Sequence, residues 1–289
     1  MSGPTASVWY MDQWKDTAMD VYQSSGFLLR NTTTAPVKIN GKQMHFPLAG
    51  TVNAEEDVQT GDVAVVQNAN DTEVIVTTKK SRCFTEVNED DLDQMSVEQN
   101  QVEARRSAKA LGRVHDKTII TQLRAATQTV GAYGTAFDLA LILQGAQVLQ
   151  TADIPWAEDD IFCALDSVSW NRALGFKHFN NADYVGPELP FLKKGMAKTW
   201  NGINVFQMPD SILRTAVGET AGQATSLMWA RSAVGFGYVR EMTGMVTWNN
   251  SKDCWEHNLR MRIGAKLLQA NGVVKLLVKY ANSDVVLTS

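Results

Sequence analysis

The stretch from residue 31 to residue 85 constrains this chain most. Val37-Lys38-Ile39 alternates apolar and polar side chains, Asn40-Gly41 follows, and Lys42-Gln43-Met44-His45-Phe46 alternates again. An Asn-Gly pair between two alternating runs signals a hairpin, because these residues tolerate the backbone conformations of tight turns. Pro47 has no N–H for a strand ladder, so it ends the pairing or marks an edge. After the acidic turn Glu55-Glu56-Asp57, the β-branched run Glu73-Val74-Ile75-Val76-Thr77-Thr78 reads as the return strand. The stretch is thus a long two-stranded ribbon with few large core formers. A lone ribbon is marginal in water, so this one calls for a partner surface such as a neighbouring subunit.

The remainder of the 289 residues is long enough for one large domain or two lobes with a sizeable core. Hydrophobic residues make up 44% and charged residues 20%, the balance of an ordinary globular protein. A net charge of -4 gives no basic excess for gripping nucleic acid. Cys83, Cys163 and Cys254 are too few and too scattered for a disulfide framework or a CxxC zinc site. The start, MSGPTASVWYMDQW, lacks the pattern of a signal peptide, and FDLALILQGAQVL is too short and interrupted to span a bilayer. The expectation is a soluble, non-secreted chain with no membrane partner, in which the Asn-x-Thr triplets at Asn31 and Asn70 carry no meaning.

Residues 1–30 read as an arm with helical tendency; Val8, Trp9, Tyr10 and Trp14 suggest docking, onto the chain's own body or onto something else. Residues 88–127 read as one long helix. Its start is set either by the acidic run Glu89-Asp90-Asp91 with Asp93, or by Ser96 and Gln99 as a capping box. Ala104, Ala108, Leu111, His115, Ile119, Leu123 and Ala126 recur at helical spacing as one narrow face. Alanine is the commonest residue on that face, three of the seven, which suits a helix lying across a sheet, and Gly112 weakens its middle. A more apolar helix over 137–150, a buried strand over 161–165 and a short helix from Asp166-Ser167 through Leu174 follow. Residues 176–201 are irregular, and Ile203–Phe206 and Ser226–Ala230 are further strands. Leu259, Met261, Ile263, Ala265 and Leu267 alternate with Arg260, Arg262, Gly264 and Lys266, the cleanest period-2 pattern in the chain and a long half-buried strand. Asn271-Gly272 turns it into a last strand over 273–278.

Candidate chemistry is sparse. In ARSAVGFGYVRE, Gly235-Phe236-Gly237 resembles a phosphate cradle, but Arg240 stands where a third glycine belongs and Met245-Val246-Thr247-Trp248 is extended rather than helical. The two glycines then permit a bulge or a close backbone approach within a strand. No Walker sequence, GxSxG or HExxH occurs, and His45, His115, His178 and His257 lie in four different contexts. His115-Asp116 is the one histidine beside a carboxylate; adjacent helix positions do not face each other, so the two are not expected to form a dyad. Asp90-Asp91 and Asp159-Asp160 read as caps or solvated turns, and Cys163 as a small hydrophobe. Lys79-Lys80-Ser81-Arg82 serves edge protection or phosphate contact. No catalytic, cofactor-binding or metal-binding residues are assigned, and the chain is expected not to be an enzyme.

Three segments, in order, carry a family resemblance. Gly41-Lys42-Gln43-Met44-His45-Phe46-Pro47 is similar to the start of an extended loop, His115-Asp116-Lys117-Thr118-Ile119-Ile120 to the end of a spine helix, and Ala230-Arg231-Ser232-Ala233-Val234-Gly235 to a strand linking two lobes. The order resembles the major capsid proteins of tailed bacteriophages, with the Hong Kong 97-type coat fold, and is most like those of short-tailed phages. The resemblance implies an α+β chain with an N-terminal arm (1–30), an extended β-loop (31–85) over a neighbour, a peripheral lobe (86–134 and 251–270) and an axial lobe (135–250 and 271–289). It implies a subunit that self-assembles, as hexamers and pentamers, into an icosahedral shell around phage DNA, held by many modest contacts. Partners would include a separate scaffolding protein, a portal protein and a decoration protein, with packaged DNA touched only weakly. The virion would be its final place and the host bacterial cytoplasm the site of assembly. Rival readings are an encapsulin-like compartment shell and an α/β hydrolase or nucleotide enzyme using dispersed residues of 135–250.

Overall fold

The computed structural model describes residues 24, 26–52, 54, 69–90, 99–156, 158–176 and 197–281. Most of the expected arm, the ribbon tip with Glu55-Glu56-Asp57, residues 91–98 of the expected long helix and residues 177–196 of the irregular stretch lie outside those residues; of the helix expected over 88–127, Asn88 instead ends a strand and the helix stops at Leu123.

In chain order, strands β1 (Lys38–Asn40), β2 (Gln43–Leu48), β3 (Thr72–Thr77) and β4 (Lys79–Asn88) precede helix α1 (Gln99–Leu123). Then come β5 (Thr129–Gly131), α2 (Leu139–Thr151), β6 (Ile161–Leu165), α3 (Ser167–Leu174), β7 (Ala197–Trp200), β8 (Ile203–Gln207) and α4 (Asp210–Leu213). The chain closes with β9 (Gln223–Ala230), β10 (Val234–Asn249), β11 (Cys254–Leu267) and β12 (Val273–Lys279). Among the described residues these strands form three sheets, ordered β1-β2-β3, β10-β11-β4 and β5-β12-β9-β6-β8-β7.

The first sheet is the ribbon. Its turn is Gly41-Lys42 rather than Asn40-Gly41, because Asn40 pairs with Gln43. Gly41 carries the positive φ, +56°, that the first central residue of such a turn requires. On β2, the pairing with β1 reaches only to His45, so Pro47 turns its donor-less nitrogen to an open edge while pairing with Glu73 on the other side.

Thr78 alone separates β3 from β4. Residues 79–85, read in the sequence as ribbon, instead begin β4, which runs antiparallel to β11 from Lys79↔Ile263 to Asn88↔Cys254. On its other side β11 pairs with β10. Leu259, Met261 and Ile263 of β11 are buried, while Arg260 and Arg262 take the opposite face. α1 lies across β11 and β4, with Leu111, His115, Ile119 and Leu123 buried on its inner face, the surface its alanine-rich spacing calls for. Burying the apolar part of such a face contributes roughly 25 cal/mol per Å².

The six-stranded sheet carries most of the core. β9 is buried almost throughout and β12 at Val273, Val274, Leu276 and Val278, and among the described residues Trp229 is the largest fully buried side chain. α2 covers β12 with Leu141, Ile142 and Leu149. Asp166 caps α3, accepting the Ser169 N–H at 3.2 Å. Its other oxygen accepts the Ser226 hydroxyl of β9 at 3.1 Å. A single turn, Arg231–Ala233, carries the chain from β9 to β10, and hence from the six-stranded sheet to the three-stranded one. The hydrophobic core is continuous across both, and Met44, Phe46 and Val76 form a separate small cluster under the ribbon.

Candidate functional site

The candidate site is where the ribbon leaves the body. Gly235, Gly237 and Gly264 place a strip of bare backbone on β10 and β11. A Cβ on Gly235 would stand 2.6 Å from Phe46 Cε1, one on Gly237 would stand 2.8 Å from Met44 Sδ, and one on Gly264 would stand 2.9 Å from Met44 Cε. Real Cβ atoms do not come that close, so a side chain at any of these positions would force the ribbon's side chains to shift, most severely the rigid Phe46 ring over Gly235. This answers the question posed by Gly235-Phe236-Gly237: the glycines admit a close approach by Phe46 and Met44. The bulges of β10 fall later, between Tyr238 and Thr243. The period-2 spacing of Met44 and Phe46 on one strand and of Gly235 and Gly237 on another was the sequence signal for this contact, but nothing local joins the two.

A strap of chain before the ribbon reinforces the seat. The Thr34 N–H donates to the Val234 carbonyl at 2.9 Å and the Phe236 N–H donates to the Thr34 carbonyl at 3.0 Å. Farther back the strap is fastened to α1. The Asp116 carboxylate accepts the Leu28 and Leu29 N–H groups at 3.1 and 3.2 Å. Gly26 lies directly on Gly112, so a glycine that weakens the helix also lets the strap touch its backbone.

The expectation that His115 and Asp116 would not meet is corrected here: His115 Nδ1 lies 2.8 Å from Asp116 Oδ1, and both residues are fully buried. Adjacent helix positions point about 100° apart. Two backbone donors of the strap hold the short carboxylate, and the histidine ring presents Nδ1 on the same side. Phe27, Phe236 and Tyr238 surround the ring, with centroids 5.2, 4.5 and 5.8 Å away. Among the described residues His115 Nε2 has no hydrogen-bond partner. The pair faces packed aromatic rings, and its job in this setting is to tie the strap to α1. Burial pushes the Tyr238 phenol above its ordinary pKa.

The remaining candidates stand apart. His45 Nδ1 meets Glu73 at 2.9 Å on the ribbon, His257 is buried in β11, and His178 lies outside the described residues. Asp159 accepts the Ser232 N–H at 3.1 Å, and Asp160 pairs with Arg231 at 3.1 Å, so both serve the turn between the sheets. Asp90 follows β4 and Asp91 is not among the described residues. Cys163 is fully buried in β6 and burial pushes its thiol up to about 12. Lys80 and Arg82 are exposed on β4, an edge strand of its sheet among the described residues. Among the described residues no group of three His, Cys, Asp or Glu side chains is placed to hold a metal ion. No described helix is long and apolar enough to cross a membrane.

The sequence profile of the phage capsid protein family matches residues 6–279. The chain belongs to that family, and its fold is the Hong Kong 97-type coat fold. A solved structure from Mycobacterium phage Che8 is 15% identical, with 92% of this chain and 96% of that one covered, at a TM-score of 0.71. The capsid of cyanophage P-SCSP1u is 13% identical over 97% of this chain and 96% of that one, at a TM-score of 0.69. The capsid of a native GTA particle is 12% identical over 93% and 94%, at a TM-score of 0.67. No curated protein matches in sequence.

Proposed function

We propose that this chain is the major capsid subunit of a tailed bacteriophage, and that its copies close into an icosahedral shell around the phage DNA. The observation that carries the reading is the family match across residues 6–279. The geometry of the ribbon supports it: among the described residues its base is seated on the body, and the outermost tie between its strands is the Gly50 N–H to Asp71 at 2.9 Å.

In this reading the six-stranded sheet with α2 and α3 is the axial lobe at capsomer axes. The β10-β11-β4 sheet with α1 as spine helix is the peripheral lobe. Hexamers and pentamers of the chain build the shell in the host cytoplasm, with a separate scaffolding protein, a portal protein and a decoration protein as partners. Contact with packaged DNA is weak, in keeping with the net charge of -4. The family match puts a phage shell ahead of an encapsulin-like compartment.

Negative-stain microscopy of the purified protein, with and without its scaffolding partner, tests this. Closed shells or capsomer rings are expected, with closure depending on the partner. Small monodisperse particles under both conditions would overturn the reading.

A further inference from the structure

The β10-β11-β4 sheet has two unlike faces. α1 covers one. The other carries Lys80 and Arg82 of β4, Arg260 and Arg262 of β11 and Arg240 of β10. Arg82 is directly opposite Arg260, Lys80 opposite Arg262, and Arg262 opposite Arg240, so the cations form one row across three strands and a shorter row beside it. Like charges directly opposite each other on one face destabilise a sheet. The carboxylates of the same three strands are engaged elsewhere: Glu86 pairs with Lys252, Glu241 pairs with Arg30, and Glu256 accepts from Asn249. Among the described residues none of the five cations has a carboxylate partner.

The cationic face is also hollowed. β10 breaks register twice, between Tyr238 and Arg240 and between Arg240 and Thr243, so extra residues stand against β11 on either side of Arg240. Such bulges bend a strand and re-aim its side chains. An open cleft of about 350 Å³ lies there, lined by Lys80, Arg240, Arg260 and Arg262 together with Val239 and Met261. Arg260 and Arg262 are half-buried between the outer strands, so an anion in the cleft meets cations that water screens incompletely.

Four unpaired cations converging on one cleft describe an anion site, and its shape selects the anion. The row Lys80-Arg262-Arg240 crosses strands about 4.8 Å apart, so it spans roughly 10 Å between its outer Cα atoms. A single phosphate or sulfate bridges two neighbours of that row. An elongated anion with several charges engages all three and Arg260 as well. Guanidinium groups grip phosphate oxygens through paired N–H donors. Single-stranded nucleic acid is held by aromatic rings on which its bases stack, and no aromatic side chain lines this cleft.

We propose that this cleft binds a linear polyphosphate, either inorganic triphosphate or the triphosphate tail of a nucleotide, with Arg262 at the centre, Lys80 and Arg240 at the ends and Arg260 alongside. The bound chain ties β4, β11 and β10 together and cancels the repulsion among them. Of the two readings open for Lys79-Lys80-Ser81-Arg82 in the sequence, Lys80 takes phosphate contact. The site lies within one subunit, so it stands or falls independently of shell assembly.

The test is calorimetric titration of the purified full chain with sodium tripolyphosphate, with thermal melting alongside. Saturable binding at one site per chain is expected, weakening as salt is raised, with a higher Tm for the liganded chain. Arg240→Gln with Arg262→Gln is expected to weaken binding at least tenfold and to remove the rise in Tm. Without ligand this variant should melt no lower than wild type, because the opposed charges are gone. Should it fail to fold, Lys80→Gln is the milder probe, with a severalfold loss expected. Arg105→Gln with Lys117→Gln removes two exposed cations of α1 and is expected to leave binding unchanged; an equal loss there would show attraction by net charge alone and overturn the site. Monophosphate is expected to bind at least tenfold more weakly than tripolyphosphate. Tighter binding of ATP identifies the nucleotide as the source of the chain and tighter binding of tripolyphosphate the inorganic anion, and both uphold the site. Wild-type affinity in the Arg240→Gln with Arg262→Gln variant, or monophosphate binding as tight as tripolyphosphate, overturns it. So does an oligothymidylate that binds more tightly than tripolyphosphate, which would assign the cleft to nucleic acid.

Discussion

The ring of Phe46 fills the space that a side chain at residue 235 would need, 2.6 Å from an ideal Cβ on Gly235. This contact joins the ribbon to a strand far away in sequence. It explains why the ribbon's few large apolar side chains, Met44, Phe46 and Val76, are the buried ones. Gly235→Ala is expected to destabilise the subunit by about 1–3 kcal/mol through overpacking. For a chain of this size that is a drop in Tm of roughly 2–4 °C per kcal/mol. Thermal unfolding of Gly235→Ala, Phe46→Leu and the pair checks it: the smaller side chain makes room, so the double variant should lose less than the sum of the singles. An unchanged Tm for Gly235→Ala would mean that the ribbon base is not seated there.

The strap before the ribbon depends on one carboxylate. Asp116 is fully buried and accepts two backbone N–H groups while facing His115 Nδ1 at 2.8 Å. Asp116→Asn replaces one acceptor oxygen with an amide NH₂ that points at a donor. The expected cost is about 1–3 kcal/mol, the range for leaving a buried polar group unpaired. Hydrogen exchange at Leu28 and Leu29 should quicken more than exchange in the six-stranded sheet. Equal acceleration in both regions would show that Asp116 supports the core generally and not the strap.

Stability at alkaline pH should register Cys163. Its thiol is raised to about 12 in the fold, against about 8.5 in an unfolded chain. The unfolded state therefore releases a proton first as pH rises. The stabilisation from the neutral buried thiol is complete below about pH 8.5 and is lost as pH climbs towards about 12, at up to about 1.4 kcal/mol per pH unit. Cys163→Ala should flatten this part of the stability profile in urea unfolding. A profile of unchanged slope would place the alkaline loss elsewhere.

What the sequence showed and what it hid divide along local and non-local lines. The hairpin near Gly41, the inner face of α1 and the alternation of β11 all rest on spacing within one element, and each was legible. The partners of β4 and β10 were not, because strand pairing across distant parts of a chain leaves no mark in either strand alone. Residues 79–85 looked like more ribbon for that reason: the same alternation serves whichever neighbour the strand meets. The meeting of His115 with Asp116 was hidden because helix geometry alone turns them apart, and two N–H donors from the strap turn the carboxylate back. The cationic face was present in the alternation of Arg260 and Arg262, but its strength appears only when Lys80, Arg82 and Arg240 come alongside.

Asp166 ties a helix start to the central sheet, and this tie can be divided by mutation. One oxygen accepts the Ser169 N–H of α3 at 3.2 Å and the other accepts the Ser226 hydroxyl of β9 at 3.1 Å, with the residue fully buried. Asp166→Ala removes both acceptors and leaves two buried donors unpaired, for an expected loss of about 2–4 kcal/mol from the cap and the hydroxyl together. Asp166→Asn keeps one acceptor and a good capping residue, so its loss should be about half as large. Ser226→Ala in the Asp166→Ala background should cost little further, because the hydroxyl has already lost its partner. Urea unfolding of the three variants measures these differences. A full additional loss from Ser226→Ala would show that the hydroxyl supports the sheet independently of Asp166.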